Sequence, residues 1–511
     1  MSRFFTKFCL LVFLAAFAVG SWAQAPSHAT DASSRSAAKS ARVSPIRQQL
    51  FGTIPLSTKS EGARKSLEEA WNKYENASYD ASADNARAAT QKDPNSALAF
   101  AMISFAARRT TPDLAALAKA KSLLSRSGSE EQLLVRWMTA VQERDLLSAI
   151  SSMNDLLKQH PRDKHILYVT GEWLFIQQDD DRAQALLESA LKIDPDFPAA
   201  LNRLGYLYIR SANPNPQKAL ASLNRYAQVE TTSSNPQDSL GEVSRIAGDD
   251  AASLKHFSAS LRIDPAFLAS QEGLGDTRTL MGDFDGARRE YDRALQMAKS
   301  PVDQLYIKQQ RALVSFWEGK PEQGHEELAA FAEEAAQKKE PNGQYNIAFA
   351  RAMLAADWQS ELNQLKELSA FLEQSHPGML ESDRNVALAT VSRELVRIAA
   401  LNGQADEATR YTSKLEALAT STGDLFVQTC FETARGYVAV AQNDFQNAAE
   451  SLSADPHSPL ALQQLAVAQH KLGNLEAMEA TLTRLKYQRG PTVEWFLVRH
   501  PSSNQGVVAP N

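Results

Sequence analysis

The chain has 511 residues and a formal net charge of −6, and 8% of its residues are aromatic. An acidic balance argues against a nucleic-acid-binding protein, because such proteins need clustered lysine and arginine for the phosphates. The alanine-rich sequence shows no sustained strand-like alternation, which predicts an all-α protein. At this length a single compact core is not expected, so the chain should be divided or repetitive.

Residues 1–25 have the form of a cleavable signal peptide. Arg3 and Lys7 precede an apolar run that ends at Gly20, and small-x-small patterns place cleavage before Gln24 or Pro26. The run is too short to span a membrane comfortably. The sequence therefore predicts a periplasmic or secreted protein with no integral membrane segment in the mature chain.

Residues 26–62 are rich in Ser, Ala and Thr and are predicted to form a disordered basic leader. The leader carries a net charge of +3, whereas the chain from Ala63 onward carries about −11. Such a tether either occupies an acidic groove in a salt-sensitive way or serves only as a spacer. The sequence favours the spacer.

A repeat begins after the leader. Lys192-Ile193-Asp194-Pro195 returns as Arg262-Ile263-Asp264-Pro265, and glycines recur 34 positions apart, at 171 and 205 and again at 241 and 275. A period of about 34 residues indicates stacked helix pairs that bury their apolar faces against neighbours. Small residues such as Gly171 and Ala183 are expected where the two helices of a pair cross closely.

The turn inside each pair has its own signature, a Gly or Asn followed five positions later by a small residue. It recurs at Gly248/Ser253, Gly282/Ala287, Gly319/Gly324, Gly403/Ala408 and Asn443/Ala448, with a degenerate copy at Gly473/Met478. A helix commonly ends through a residue with positive φ, which Gly and Asn adopt most readily. These positions are therefore predicted to close the first helix of each pair.

The chain resembles the tetratricopeptide repeat family through Leu204-Gly205-Tyr208, Leu274-Gly275, Ala287 and Tyr291-Ala294. The resemblance implies a right-handed α-solenoid of about twelve stacked antiparallel helix pairs. The units should begin near Ala63, Ala97, Glu130, Lys164, Pro198, Ser234, Leu268, Leu305, Asn342, Ala389, Thr429 and Pro459.

The repeat pattern varies along the chain and suggests a division. Residues 63–301 form the clearest array, 302–428 contain divergent, longer helical repeats, and 429–490 return to the family pattern. The middle stretch is either a separate subarray or drift in a continuous solenoid, and the continuous solenoid is favoured. Residues 491–511 are predicted to be a capping segment and tail, in which apolar residues around Trp495 cover the open end; the alternative is an exposed docking motif.

Catalytic and metal-binding motifs are missing from the sequence, so no enzymatic activity, cofactor or metal is expected. His160 and His165 are close in sequence, but their spacing does not place both imidazoles on one helical face. Cys430 is the only cysteine after the signal peptide. It is interpreted as a small core residue, with an intermolecular disulfide as the less favoured alternative.

In this family the first helix of each pair lines a concave groove for an extended peptide or a partner helix. The register selects as groove residues Tyr168, Glu172, Phe175, Asn202, Tyr206, Arg210, Asp238, Glu242, Arg245, Glu272 and Asp276. The alternative is that these side chains simply face solvent.

The resemblance and the signal peptide together imply an exported scaffold that binds a protein or peptide partner in its concave groove, within a cell-envelope assembly. Two alternatives stay open: a periplasmic accessory component of a polysaccharide or protein secretion system, and an enzyme with an unrecognised site. No nucleic acid is expected as a partner, and the sequence leaves the oligomeric state open.

Overall fold

The computed structural model describes residues 49–50, 53–107, 113–177 and 179–501. In these ranges the chain folds into antiparallel helix pairs stacked in sequence order. The first seven pairs are α1 (Glu61–Glu75) and α2 (Tyr79–Lys92), α3 (Ala97–Ala107) and α4 (Leu114–Leu123), α5 (Ser129–Glu143) and α6 (Leu146–Gln159), α7 (Lys164–Ile176) and α8 (Asp180–Ile193), α9 (Pro198–Arg210) and α10 (Pro216–Val229), α11 (Asn235–Ala247) and α12 (Asp250–Ile263), α13 (Leu268–Met281) and α14 (Phe284–Met297).

Five further pairs and a final short helix complete the array. They are α15 (Pro301–Trp317) and α16 (Pro321–Gln337), α17 (Pro341–Met353) and α18 (Trp358–Leu372), α19 (Glu381–Leu401) and α20 (Ala405–Thr422), α21 (Leu425–Ala441) and α22 (Phe445–Leu452), α23 (Pro459–Lys471) and α24 (Leu475–Lys486), and then α25 (Val493–Arg499). A 3₁₀ turn at Leu124–Arg126 follows α4. The all-α solenoid of about twelve pairs is confirmed, and the division into three stretches stays a prediction.

The turns inside the pairs have the backbone conformation that the sequence predicted. The signature residues Gly248, Gly282 and Asn443 have φ values of 89°, 79° and 59°. Just after each of them an aspartate caps the second helix; Asp283, for example, accepts a hydrogen bond from the backbone N–H of Gly286 at 3.0 Å. Each turn thus closes one helix and starts the next within a few residues.

The glycines that recur every 34 residues have a steric reason in the structure. A Cβ atom added at Gly205 would lie 2.5 Å from the side chain of Leu223 on the partner helix, and one at Gly275 would lie 2.8 Å from Tyr291. Real Cβ atoms do not approach so closely, so only glycine lets the two helices of these pairs pack at this distance.

The last part of the predicted leader is ordered. Ile54–Pro55 pairs antiparallel with Gln49–Leu50 in a two-residue ladder, and Ile54 is fully buried. The backbone N–H of Ser57 donates to the Glu131 carboxylate of α5 at 2.5 Å. The prediction of disorder up to residue 62 is therefore wrong for residues 49–50 and 53–62: the strand pair forms, residues 53–60 find apolar and hydrogen-bonding partners on the third pair, and residues 61–62 begin α1. The remainder of the leader, residues 26–48, and the signal peptide lie outside the described residues.

The solenoid closes on itself. Arg144, in the turn of the third pair, donates to Asp424 at the start of α21 in the eleventh pair, with Nη2 2.9 Å from Oδ1. Burial opposes ionisation of Asp424, but the hydrogen bond and charge of Arg144 lower its pKa. Arg144 has a φ of 58°, in the left-handed region. The contact joins residues 280 positions apart, so the superhelix completes a turn between these two pairs.

Candidate partner-binding surface

All eleven predicted groove residues lie on the first helices of four consecutive pairs: Tyr168, Glu172 and Phe175 on α7, Asn202, Tyr206 and Arg210 on α9, Asp238, Glu242 and Arg245 on α11, and Glu272 and Asp276 on α13. The register therefore placed each residue on the intended helix. Whether these residues bind a partner stays a prediction.

Their exposure differs from the expectation of an open groove. The buried members are Tyr168, Glu172, Tyr206, Asp238, Glu242, Arg245, Glu272 and Asp276. Phe175, Asn202 and Arg210 are half-buried. The alternative that these side chains simply face solvent is wrong for the eight buried residues, because the tightly wound chain encloses these sides of the helices.

Hydrogen bonds and ion pairs connect each first helix with the next. Glu172 of α7 pairs with Arg203 of α9 at 2.6 Å. On the next step Glu242 of α11 accepts hydrogen bonds from Tyr206 at 3.0 Å and from Arg210 at 3.2 Å. These partners are about one repeat apart in sequence, so polar contacts link neighbouring first helices, although the order of acid and base differs between the two steps.

The acidic residues further along the surface are also engaged. Asp238 accepts a hydrogen bond from Ser270 at 2.7 Å, and Asp276 accepts one from Tyr291 at 2.8 Å. The carboxylates are therefore hydrogen-bonded within the fold. A buried carboxylate is tolerated only when it has such partners.

The C-terminal segment packs inside the array. The Arg489 guanidinium pairs with Asp250 and donates to the backbone carbonyl of Arg245 at 2.6 Å. In α25, the ring of Phe496 lies 5.3 Å from that of Trp317 at the end of α15. Its partners belong to the sixth and eighth pairs and also to the last pair, because Trp495 packs in one core cluster with Leu462 and Leu485. Whether the segment covers the open end of the array stays a prediction. The end of the predicted tail, 502–511, lies outside the described residues.

A buried cluster of charged side chains also contacts α25. Arg393 of α19 is fully buried and donates to three carboxylates: Glu394 at 2.8 Å, Asp455 at 2.9 Å and Glu494 of α25 at 3.1 Å. Glu494 also accepts a hydrogen bond from Ser458 at 2.9 Å. Sequence reasoning missed this cluster, since its members lie on three different segments and no repeat spacing links them.

The cluster continues through a second arginine. Arg397, one turn after Arg393, donates to Glu394 and also pairs with Glu361 of α18. Burial raises the pKa of Glu361 to about 7 and outweighs the attraction of Arg397. Burial also raises the pKa of Glu494. Two guanidinium groups thus face four carboxylates, which is an excess of acid in a buried place.

A small cavity of about 50 Å³ lies where the linker before α25 crosses the first helices. Its lining includes Arg210, Arg245, Asp276, Tyr306 and Arg489. Charged groups of both signs line it, and its volume holds little more than a water molecule or two. The cavity therefore marks a polar seam between the C-terminal segment and the array.

The histidines that lie close in sequence point to different partners. His160 Nε2 lies 3.1 Å from Glu130, and His165 Nδ1 lies 2.7 Å from Glu75. Among the residues that the structure describes, no group of three or more His, Cys, Asp or Glu side chains is arranged to hold a metal ion. Within the same ranges no helix combines the length and apolar character needed to cross a membrane.

Comparison with known families supports the fold directly. Residues 177–236, which cover the second half of the fourth pair and the whole fifth pair, match the model of the tetratricopeptide repeat. Residues 177–236 therefore contain tetratricopeptide repeats. No curated protein matches this chain.

Several solved structures, among them tetratricopeptide repeat proteins, are similar to parts of this chain. PilW, a type IV pilus biogenesis factor, is 20% identical with a TM-score of 0.35 over 41% of this chain and 94% of PilW. A tetratricopeptide repeat protein from Parabacteroides merdae is 14% identical, with a TM-score of 0.32 over 53% of this chain and 92% of its own. The APC/C hetero-tetramer Cut9–Hcn1 gives 16% identity and a TM-score of 0.38 over 81% of this chain and 78% of its own.

Proposed function

We propose that this tetratricopeptide repeat protein is an exported scaffold that binds a protein or peptide partner on the surface lined by its first helices, within a cell-envelope assembly. Export is supported by the basic start, apolar run and small-x-small pattern of residues 1–25. The proposed role is binding. The charged side chains of this surface already pair with one another across neighbouring helices, so they serve to shape the surface.

One observation carries the proposal. The first helices already hold a short segment of protein, since α25 is contacted by Trp317 on α15 and Arg393 on α19, and by Ser458 just before α23. A surface that holds one short helix through aromatic contacts and a buried charge has the chemistry of a protein-binding site. Among the predicted groove residues, the half-buried Phe175, Asn202 and Arg210 are the ones that a partner can reach with least rearrangement.

Site-specific cross-linking in the native cell tests the proposal. A photo-reactive residue replaces Asn202 on the inner surface in one variant, and Leu147, which is 80% exposed on α6, in the matched control. We expect a protein adduct from position 202 that position 147 does not give, with the adduct identified by mass spectrometry. The proposal is wrong if the folded 202 variant gives no protein adduct, or if both positions give the same adducts.

Export has its own measurement. N-terminal sequencing of the protein from a cell-envelope fraction is expected to begin near Gln24 or Pro26. A chain that starts at Met1 and stays in the cytoplasmic fraction would contradict the proposed location while leaving the binding test unaffected.

A further inference from the structure

The C-terminal helix α25 has the contacts of a bound ligand. Two of its residues, Trp495 and Leu497, are buried, and the preceding linker is fixed by the pair between Arg489 and Asp250. A helix of seven residues is too short to be stable alone in water. Its helical form therefore depends on the surface that holds it, so docking and folding of α25 are one event.

The surface holds α25 by the buried apolar side chains Val493, Trp495 and Leu497, and recognises it further by one charge and one aromatic contact. Glu494, in the first turn of α25, accepts hydrogen bonds from Arg393 at 3.1 Å and Ser458 at 2.9 Å. Two residues further on, Phe496 lies edge-on to both Trp317, at 5.3 Å, and Phe316, at 6.1 Å. A carboxylate and an aromatic ring are thus read at a fixed spacing along one helical turn.

The ion cluster does not depend on α25 for its charge balance. When Glu494 leaves, Arg393 keeps Glu394 and Asp455, and Arg397 keeps Glu361. Three carboxylates then still face two guanidinium groups. Departure of α25 therefore leaves no buried arginine without an acidic partner, which is the situation that would make exchange costly.

We propose that the site occupied by α25 is a receptor for a short helix of a protein partner, with a carboxylate in its first turn followed two residues later by an aromatic side chain, and that α25 is the resident competitor. The inference rests on the proposed scaffold function and names the chemistry of the segment that the scaffold takes. Charge complementarity selects the occupant, because Arg393 and the hydroxyl of Ser458 both donate to the position of Glu494.

The test uses the full chain and a fluorescent peptide with the sequence of residues 488–501. In the variant Glu494→Lys, the ammonium group faces Arg393 and disfavours the resident helix, so the site opens. In the wild-type chain α25 occupies the site in most molecules, so the apparent affinity for the added peptide is reduced to the fraction of molecules whose site is open. We therefore expect the variant to bind the peptide at least about tenfold more tightly than the wild-type chain. The same peptide carrying Lys at position 494 is expected not to bind.

Glu479→Lys is the matched control, because Glu479 is exposed on α24 and the charge change is identical. This control is expected to bind the peptide as the wild-type chain does. The proposal is overturned if the folded Glu494→Lys chain does not bind the peptide, or if all three chains bind it equally. Wild-type dimers that the peptide dissociates would identify a second copy as the occupant and would also overturn it.

Hydrogen exchange on the wild-type chain keeps the proposal testable if the variant does not fold. We expect the backbone amides of α25 to exchange faster than those of its neighbour α23, since α25 opens without the array. Equal protection of the two helices would show that α25 is not exchangeable. None of these measurements uses the native partner, so a negative result here leaves the cross-linking test at position 202 independent.

Discussion

Charged side chains on the inner surface are paired in different ways in two regions of the molecule. In α7 to α11, charged groups pair between neighbouring first helices, as with Glu172 and Arg203 or Arg210 and Glu242. Around α19, Arg393 instead binds carboxylates that lie 62 and 101 residues away in sequence. The first arrangement links neighbouring repeats, whereas the second joins parts of the array that are distant in sequence and so helps to close it. The comparison shows that a repetitive fold can place its least repetitive chemistry where its ends return.

The largest effect is expected from breaking the closing arrangement. Arg393→Met leaves Glu394, Asp455 and Glu494 buried without their shared guanidinium group, and we expect a loss of about 3 to 5 kcal/mol in the free energy of unfolding. Urea denaturation followed by circular dichroism measures this loss. Arg435→Met is the control, because Arg435 is exposed on α21 and should change stability by less than about 0.5 kcal/mol. Equal losses for the two variants would show that the cluster does not stabilise the closure.

The repetitive arrangement is tested by a close helix contact. Gly205→Leu forces a side chain into Leu223, and overpacking of this kind typically costs about 1 to 3 kcal/mol. Ala287→Leu, at a fully buried position in α14, should act similarly. Asn202→Ala is one turn away from Gly205 and half-buried, so its effect should be much smaller. Denaturation midpoints that coincide for all three variants would contradict the helix register.

A double-mutant cycle sharpens the comparison between closing and repeating contacts. Arg144→Gln and Asp424→Asn each remove one charge of the contact between the third and eleventh pairs, and Asn retains the helix cap that Asp424 provides. We expect a coupling energy of about 0.5 to 3 kcal/mol, because the pair is largely buried. The same cycle on the exposed pair Arg225 and Asp196 should give at most about 1 kcal/mol. If the coupling energy of Arg144 and Asp424 is no larger than that of the exposed pair, closure of the array does not rely on this contact.

The smallest expected effect is a difference in pH dependence. The pKa of Glu361 is raised to about 7 in the folded chain, so the folded state holds a proton that the unfolded chain has lost above its ordinary pKa. Stability from this group is therefore present at low pH and is lost as pH rises towards 7 and beyond. The variant Glu361→Gln lacks this loss. Between pH 5 and pH 8 we expect the wild-type chain to lose about 1 kcal/mol or more relative to the variant, and parallel pH profiles would contradict the assignment.

The sequence predicted the repeating half of the molecule well, for a physical reason. Positive φ at Gly248 and Asn443 and the tight contact at Gly205 depend on neighbours within one helix pair, so the local pattern contains the necessary information. The same register placed Glu172 and Glu242 on the correct helices. It did not predict that they would be buried, because burial depends on how the array winds.

The closing half could not be predicted from the same pattern. The contact between Arg144 and Asp424 depends on the rotation accumulated over the intervening pairs, and small differences in each pair add up along a solenoid. The place of α25 is unpredictable for the same reason, since the apolar character of Trp495 indicated burial without indicating a partner. An ordered segment before α1 was likewise missed, because Ile54 and Leu56 belong to a short apolar stretch at the end of a leader that is otherwise polar, and the sequence does not show which surface that stretch packs on.

The structure buries Cys430 completely on α21, as its interpretation as a core residue predicted, and burial raises the pKa of its thiol. A thiol in this state reacts with an alkylating reagent only after solvent reaches α21. Asp424, which caps the N-terminus of this helix, makes the contact that closes the superhelix. The rate of Cys430 alkylation therefore measures how often the array opens, and the measurement needs no engineered residue.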